Sequence, residues 1–401
     1  MDAAGVTTPE PPAAGAPGAA GRASLLVAAG ILAAGFGLVA ALLADLQETF
    51  GFPTWGLGLI AGVSFLTGFA GHVTLGPLAD RGALRLMLAG GALAGVLSLV
   101  WLAAATRLWE FVAARALVGI AEGAFLPAAR RLVVAWRPDR PGTELGRLLG
   151  AGMAGFVAGP VAGGVLASGL GLRGAFLVPA AALAAAVPFL GRMPVPALPA
   201  VPGGSIWSLL RRPIVRAALL LGSAEFFVFG ALEAIWARLL TDRGASTTEV
   251  GLSLTLVVLP LPLLTPLAGR FADRIDPARL AAAAVAGLTV VSPLYGIVTG
   301  AAATVAVGVL QAAVTSGSAP ASQALLTGGV PPGRVAAGQG LLEGFGLLVA
   351  AAAALPVGWV YGTLGTRWIG VGLAVPTAAL LALGVLEVRR ARAAERAEAG
   401  G

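Results

Sequence analysis

Four ionisable residues stand inside long apolar runs. Arg115 and Glu122 fall in RALVGIAEG, Glu225 in EFFVFGALE and Glu343 in QGLLEGFG. A carboxyl in a bilayer interior can alternate between protonated and ionised forms, which is the chemistry of a proton carrier, and intramembrane ionisable groups mark such pathways. Counting nine residues from Arg216 to Glu225 and from Arg334 to Glu343 sets each carboxyl about 14 Å deep, near the middle of a hydrocarbon core about 30 Å thick. Arg115 and Glu122 are seven residues apart, close to two helical turns, so they share a face. About 10 Å of rise separates them, so other helices or cargo must supply their partners. Phe226, Phe227, Phe229 and Trp236 accompany Glu225 and are candidates to line an aromatic pocket for apolar or cationic cargo. Asp45 and Glu233 are expected in water at outer helix ends, and His72, the single histidine, is expected to pack.

The elements that must hold these groups are membrane helices. Of the 401 residues, 58% are hydrophobic and only 11% charged, against roughly a quarter charged in soluble proteins. With no Cys, disulfides and thiolate metal sites are excluded. The chain also lacks a P-loop, clustered metal-ligand spacing and a nucleophile elbow, so no cofactor or metal is expected, enzyme chemistry is excluded and an ion gradient is the expected driving force. Twelve apolar segments reach spanning length. Their cores begin at Ser24, Trp55, Leu84, Leu108, Leu145, Ala175, Ile214, Val250, Leu280, Ala301, Val335 and Trp368. The fold expected is an all-α membrane protein.

Charge sets the expected orientation. Placing both ends in the cytoplasm leaves Arg107, Arg173, Arg238, Arg243 and Arg367 outside and Arg115 within a span, with every other arginine inside. Positive loop charge is retained on the cytoplasmic side. The formal net charge of +7 therefore reads as topology, and no nucleic-acid partner is expected. The segments read as a disordered cytoplasmic tail (1–22), a six-helix bundle (23–191), a cytoplasmic linker rich in Pro (192–213), a second six-helix bundle (214–388) and a second tail (389–401). The start lacks the basic end and apolar core of a signal peptide.

The two bundles echo one another. GPLADRGALR from Gly76 and GRFADRIDPAR from Gly269 share Gly-x-x-x-Asp-Arg at an offset of 193 residues, and the same offset carries Gly51 onto Gly244, Thr54 onto Thr247 and Gly58 onto Gly251. Duplicated halves in an apolar chain are the mark of a transporter built from repeats. The first loop, with Gly76, Asp80, Arg81 and Arg85, resembles the signature G-x-x-x-D-R-x-G-R-R/K of the major facilitator superfamily, although Gly82 follows Arg81 directly and Ala83 takes the second glycine's place. The second loop keeps Gly269, Asp273 and Arg274, with Asp276 at that place. Arg115 and Gly119 are similar to the family's R-x-x-x-G element. Gly146, Gly155, Gly159, Pro160, Gly163 and Gly164 fit the spacing gx8Gx3GPx2GG, which resembles the element of the antiporter branch. Small residues let helices approach closely and Pro160 bends its span.

That resemblance implies two pseudo-symmetric six-helix bundles with alternating access to a midplane site. It also implies a gate at the 76–85 and 269–274 loops, and it favours a proton-coupled antiporter of the inner membrane that exports small amphipathic or drug-like molecules. Its partners would be a small-molecule substrate, protons and the lipid bilayer. Many multidrug members carry an acidic residue within the first helix; here the first acid of that helix is Asp45, so the coupling carboxylate is Glu225, Glu122 or Glu343, and Arg115 is a further candidate in the coupling. The alternatives are a proton-linked importer or metabolite exchanger of the same fold, and a non-transporting membrane sensor.

Overall fold

The computed structural model describes residues 19–75, 78–79, 82–137, 141–195, 206–261, 263–264, 275–331 and 334–399. Among them every regular element is helical. The first half contains α1 (Ala19–Phe50), α2 (Trp55–Thr74), α3 (Leu84–Ala104) and α4 (Leu108–Trp136). A helical run over Pro141–Gly191 follows, and Gly171, with φ 75° and ψ 170°, breaks it into α5 (141–170) and α6 (172–191). A short 3-10 turn, Ile206–Arg211, leads to the second half. There lie α7 (Pro213–Thr241), α8 (Thr247–Val258), α9 (Pro277–Ile297), α10 (Ala301–Gly329), α11 (Val335–Leu364) and α12 (Thr366–Ala399).

Ten helical segments are long and apolar enough to cross a membrane. The one over Glu144–Gly191 has 48 residues, about 72 Å of helix, and so crosses twice about the Gly171 break. The shorter apolar α8, 12 residues and about 18 Å long, lies where the remaining span is expected. Local chemistry sets the boundaries. Ser246 and Glu249 cap each other's backbone N–H groups at the start of α8, and Asp276 accepts from the Ala278 amide at 2.9 Å before the proline of α9. Past Arg389, where a disordered tail is expected, α12 continues to Ala399. Good helix formers (Ala, Arg, Glu) fill this stretch, and it is tied down by pairs from Arg390 to Glu387 at 2.6 Å and from Arg392 to Asp276.

In the first half, α1 lies on α5 and α3 on α4 and α6; in the second, α7 is flanked by α10, α11 and α12. The halves meet along α2 with α11 and α5 with α8, and α7 also touches α1 and α2. The repeat is visible in the backbone. Gly51 and Gly244 both turn with left-handed φ, 66° and 88°, and link α1 to α2 and α7 to α8. Here the end carrying those turns is the turn end, and the end carrying 192–213 is the linker end.

Candidate functional site

The most buried charges bridge the two halves. Arg115 of α4 is 0% exposed and Glu233 of α7 is 5% exposed. Arg115 Nη2 donates to Glu233 Oε1 at 2.7 Å, its Nε donates to the Ile60 carbonyl at 3.4 Å, and its guanidinium carbon sits 4.3 Å from the Phe36 ring centroid. Arg115 Nη1 and Glu233 Oε2 are buried without a hydrogen-bond partner among the described residues. A buried pair holds only while both charges persist, because removing one leaves the other uncompensated. Glu233 is not in water, as its place near a helix end suggests. α7 is covered there by α1, α2 and α11, and the facing Arg115 supplies the counter-charge.

Beside the pair lies a cavity of about 110 Å³ between the halves. Glu225, Phe229, Glu233 and Trp236 line it from α7, facing Phe36 of α1 and Thr315 of α10. Thr315 Oγ1 donates to Glu225 Oε1 at 3.3 Å, and Trp236 Nε1 donates to Ser253 Oγ at 2.9 Å. Phe229 stacks edge-on with Phe65 and tilts against Phe156, centroids 5.8 and 6.0 Å apart, so aromatic rings from both halves close the site. Two of the four expected aromatics therefore line the cavity. Phe226 instead crowds Gly346 of α11, and Phe227 packs into the apolar core. Ligand sites typically enclose about 300–1,000 Å³, so a drug-sized cargo requires the halves to part further.

The remaining carboxylates are distributed differently. Glu122 is half-buried on α4, makes no hydrogen bond among the described residues and does not line the cavity. Glu343 of α11 is gripped by Arg130 of α4, with Nη2 donating to Oε1 at 2.7 Å and Nη1 to Oε2. Their side chains are 29% and 36% exposed. Glu343 is thus a bridge between the halves toward the linker end, and Arg130 belongs to a helix rather than a loop. Asp45 is half-buried and accepts from Thr247 Oγ1 at 2.8 Å, again across the halves. His72 holds Nδ1 2.9 Å from the Gly68 carbonyl oxygen, a local packing contact.

At the turn end the contact is backbone on backbone. A Cβ on Gly58 of α2 would meet the Ala354 and Leu355 carbonyl oxygens of α11 at 2.5 and 2.7 Å. Its repeat partner Gly251 of α8 abuts the Pro160 carbonyl of α5 equally closely. Sequence reasoning registered Gly58 and Gly251 only as repeat equivalents, and their shared offset was the signal for the seal. In the α5 motif, Gly155, Gly159 and Gly163 lie against Gly30, Ala34 and Leu38 of α1, and Gly164 against Thr247 and Thr248 at the start of α8. Pro160 presses on Gly37, while a Cβ on Gly146 would meet nothing within 4 Å. Arg85 is exposed at the start of α3. Gly76, Asp80, Arg81, Gly269, Asp273 and Arg274 lie outside the described residues.

Comparison with known proteins fits this geometry. One segment of 127 residues is 37% identical to the Multidrug resistance protein MdtG of Yersinia enterocolitica, covering 31% of this chain and 30% of that one. The protein of the same name from Escherichia coli is 36% identical over 127 residues, 31% of each. The match thus spans under a third of the length of these curated relatives. Among solved structures, a bacterial homologue of the human lysosomal transporter Spinster, inward-facing and occupied, superposes with a TM-score of 0.77 at 16% identity, over 92% of this chain and 96% of that one. The nucleoside transporter NupG gives 0.71 at 14% identity over 92% and 98%. These two likenesses concern the fold. The Major Facilitator Superfamily model matches residues 25–236 and again 219–401; with two repeated halves meeting around a buried charged site, the chain belongs to that superfamily.

Proposed function

We propose that the protein is a proton-coupled antiporter of the cell inner membrane, with both termini cytoplasmic, that exports small amphipathic or cationic molecules by alternating access. The observation that carries this reading is the buried Arg115–Glu233 pair, which joins the halves and leaves one oxygen of Glu233 without a partner beside the cavity. A proton taken up on that oxygen neutralises Glu233 and deprives Arg115 of its counter-charge. Losing one partner of a buried pair costs about 3–5 kcal/mol, enough to shift an equilibrium between two conformations by about two to nearly four orders of magnitude. Glu225 supplies the cargo side. With Phe229, Trp236 and Phe36 around it, a cation on its carboxylate and a proton on the same group exclude one another, which converts a proton gradient into export by competition. The relatives named for multidrug resistance support amphipathic cargo, and the glycine-packed α5 supports the antiporter assignment. The 76–85 and 269–274 loops are proposed as the latch at the linker end, and Glu122 and Glu343 as reserve proton sites.

The test is flux of tetraphenylphosphonium in proteoliposomes of known orientation with an imposed pH difference. Inward proton movement should drive the cation outward. Glu225→Gln should retain downhill exchange of a neutral amphiphile and lose the response to the gradient. Cation uptake along the proton flow would replace export by import, and a full response in Glu225→Gln would make Glu225 structural.

A further inference from the structure

We propose that a cleft at the linker end of the first half, between α1, α4 and α5, holds the phosphodiester headgroup of phosphatidylglycerol. The cleft encloses about 570 Å³, within the range of ligand sites and larger than the central cavity. Arg22 of α1, Trp136 of α4 and the pair Glu144 and Arg147 of α5 supply its polar lining. Two donors there are buried without an acceptor among the described residues. One is the Trp136 indole Nε1 on a side chain only 2% exposed, and the other is Arg22 Nε. Buried donors are normally satisfied, and an oxyanion reaching both would satisfy them.

Charge and depth select the ligand. Arg147 Nη1 donates to Glu144 Oε1 at 2.8 Å, so Glu144, itself 7% exposed, is already neutralised. Arg22 makes no ion pair among the described residues, and the described lining of the cleft therefore carries one net positive charge. A phosphodiester with one negative charge balances it. With Glu144 already paired to Arg147, the ammonium of phosphatidylethanolamine would bring a second uncompensated positive charge into the cleft, whereas the glycerol headgroup of phosphatidylglycerol brings none. Arg22 and Glu144 stand in the first turns of their helices and Trp136 is the last residue of α4, the level at which helices leave the hydrocarbon and basic pockets recognise headgroups. Leu25 and Val133, both buried, and the half-buried Leu26 continue the lining with apolar surface suited to acyl chains. This site is separate from the cavity and does not depend on the transport reading.

Native mass spectrometry of the detergent-purified full chain, titrated with dioleoyl phosphatidylglycerol, tests the assignment. The wild type should retain one lipid, with phosphatidylethanolamine and diacylglycerol at least about tenfold weaker. Arg22→Ala and Trp136→Phe, which lose a donor to a charged group, should each weaken retention about tenfold. Trp136→Phe keeps an aromatic ring, and its retention is compared with the wild type at a temperature where melting without lipid shows both fully folded. Equal retention of phosphatidylglycerol by the wild type and both variants overturns the site. Equal retention of phosphatidylethanolamine overturns the charge argument. Displacement of the lipid by millimolar inorganic phosphate assigns the site to free phosphate and overturns the lipid.

Discussion

The two halves are held together by different chemistry at two neighbouring contacts, one of close-packed glycines and one of buried charge. At the turn end, Gly58 and Gly251 let backbone meet backbone, a contact made by shape alone. Deeper by about a turn, Arg115 and Glu233 make a charged contact with incomplete hydrogen bonding. Shape does not respond to a proton, whereas the charged contact does. In the proposed mechanism the repeat-related glycines set how closely the halves can shut, and the ion pair sets when they stay shut.

The largest expected effect comes from spoiling the shape. Gly58→Leu or Gly251→Leu puts a side chain where a carbonyl of the other half already stands, so transport should fall at least about tenfold at matched expression, the scale of 1.4 kcal/mol or more in a closing equilibrium. Gly150→Leu should leave the rate within about twofold, because a Cβ there meets nothing within 4 Å and surface changes are near neutral. Next comes the buried charge. Arg115→Ala should lower stability by about 3–5 kcal/mol in thermal or denaturant unfolding, and adding Glu233→Gln should recover part of that loss, since the second change removes the orphaned charge. Thr247→Val, which removes the hydrogen bond to Asp45, should cost about 1 kcal/mol. The smallest effect belongs to Arg130→Ala, about 0–1 kcal/mol and weaker in high salt, because that pair is 29% and 36% exposed.

The same contrast explains what the sequence reveals. Spans, repeat and family were legible because apolar run length and the shared offset of Gly51, Thr54, Gly58 and their partners survive as local pattern. Arg115 and Glu225 were legible because charge inside an apolar run is rare. Glu233 was misplaced because distance along α7 says how far a residue is from a helix end, not which helix covers it. The hydrogen-bonded pairing of Glu343 with Arg130 was hidden for the same reason, since its partner lies 213 residues away in the other half. Phe226 and Phe229 are three residues apart yet face α11 and the cavity respectively. α7 is packed by helices of both halves, so periodicity carries little about which neighbour each buried residue meets.

The pH dependence of the separation between halves tests the switch most directly. With no native cysteine, spin labels can be placed at Ser168→Cys of α5 and Thr363→Cys of α11, two exposed turn-end positions on opposite halves, and their distance distribution read by double electron–electron resonance. Acidification should populate longer distances in the protein with Glu233 intact, as protonation releases Arg115. With Glu233→Gln, which imitates the protonated carboxyl, the longer distances should dominate at every pH. An unchanged pH response in Glu233→Gln would contradict a proton-operated Arg115–Glu233 switch.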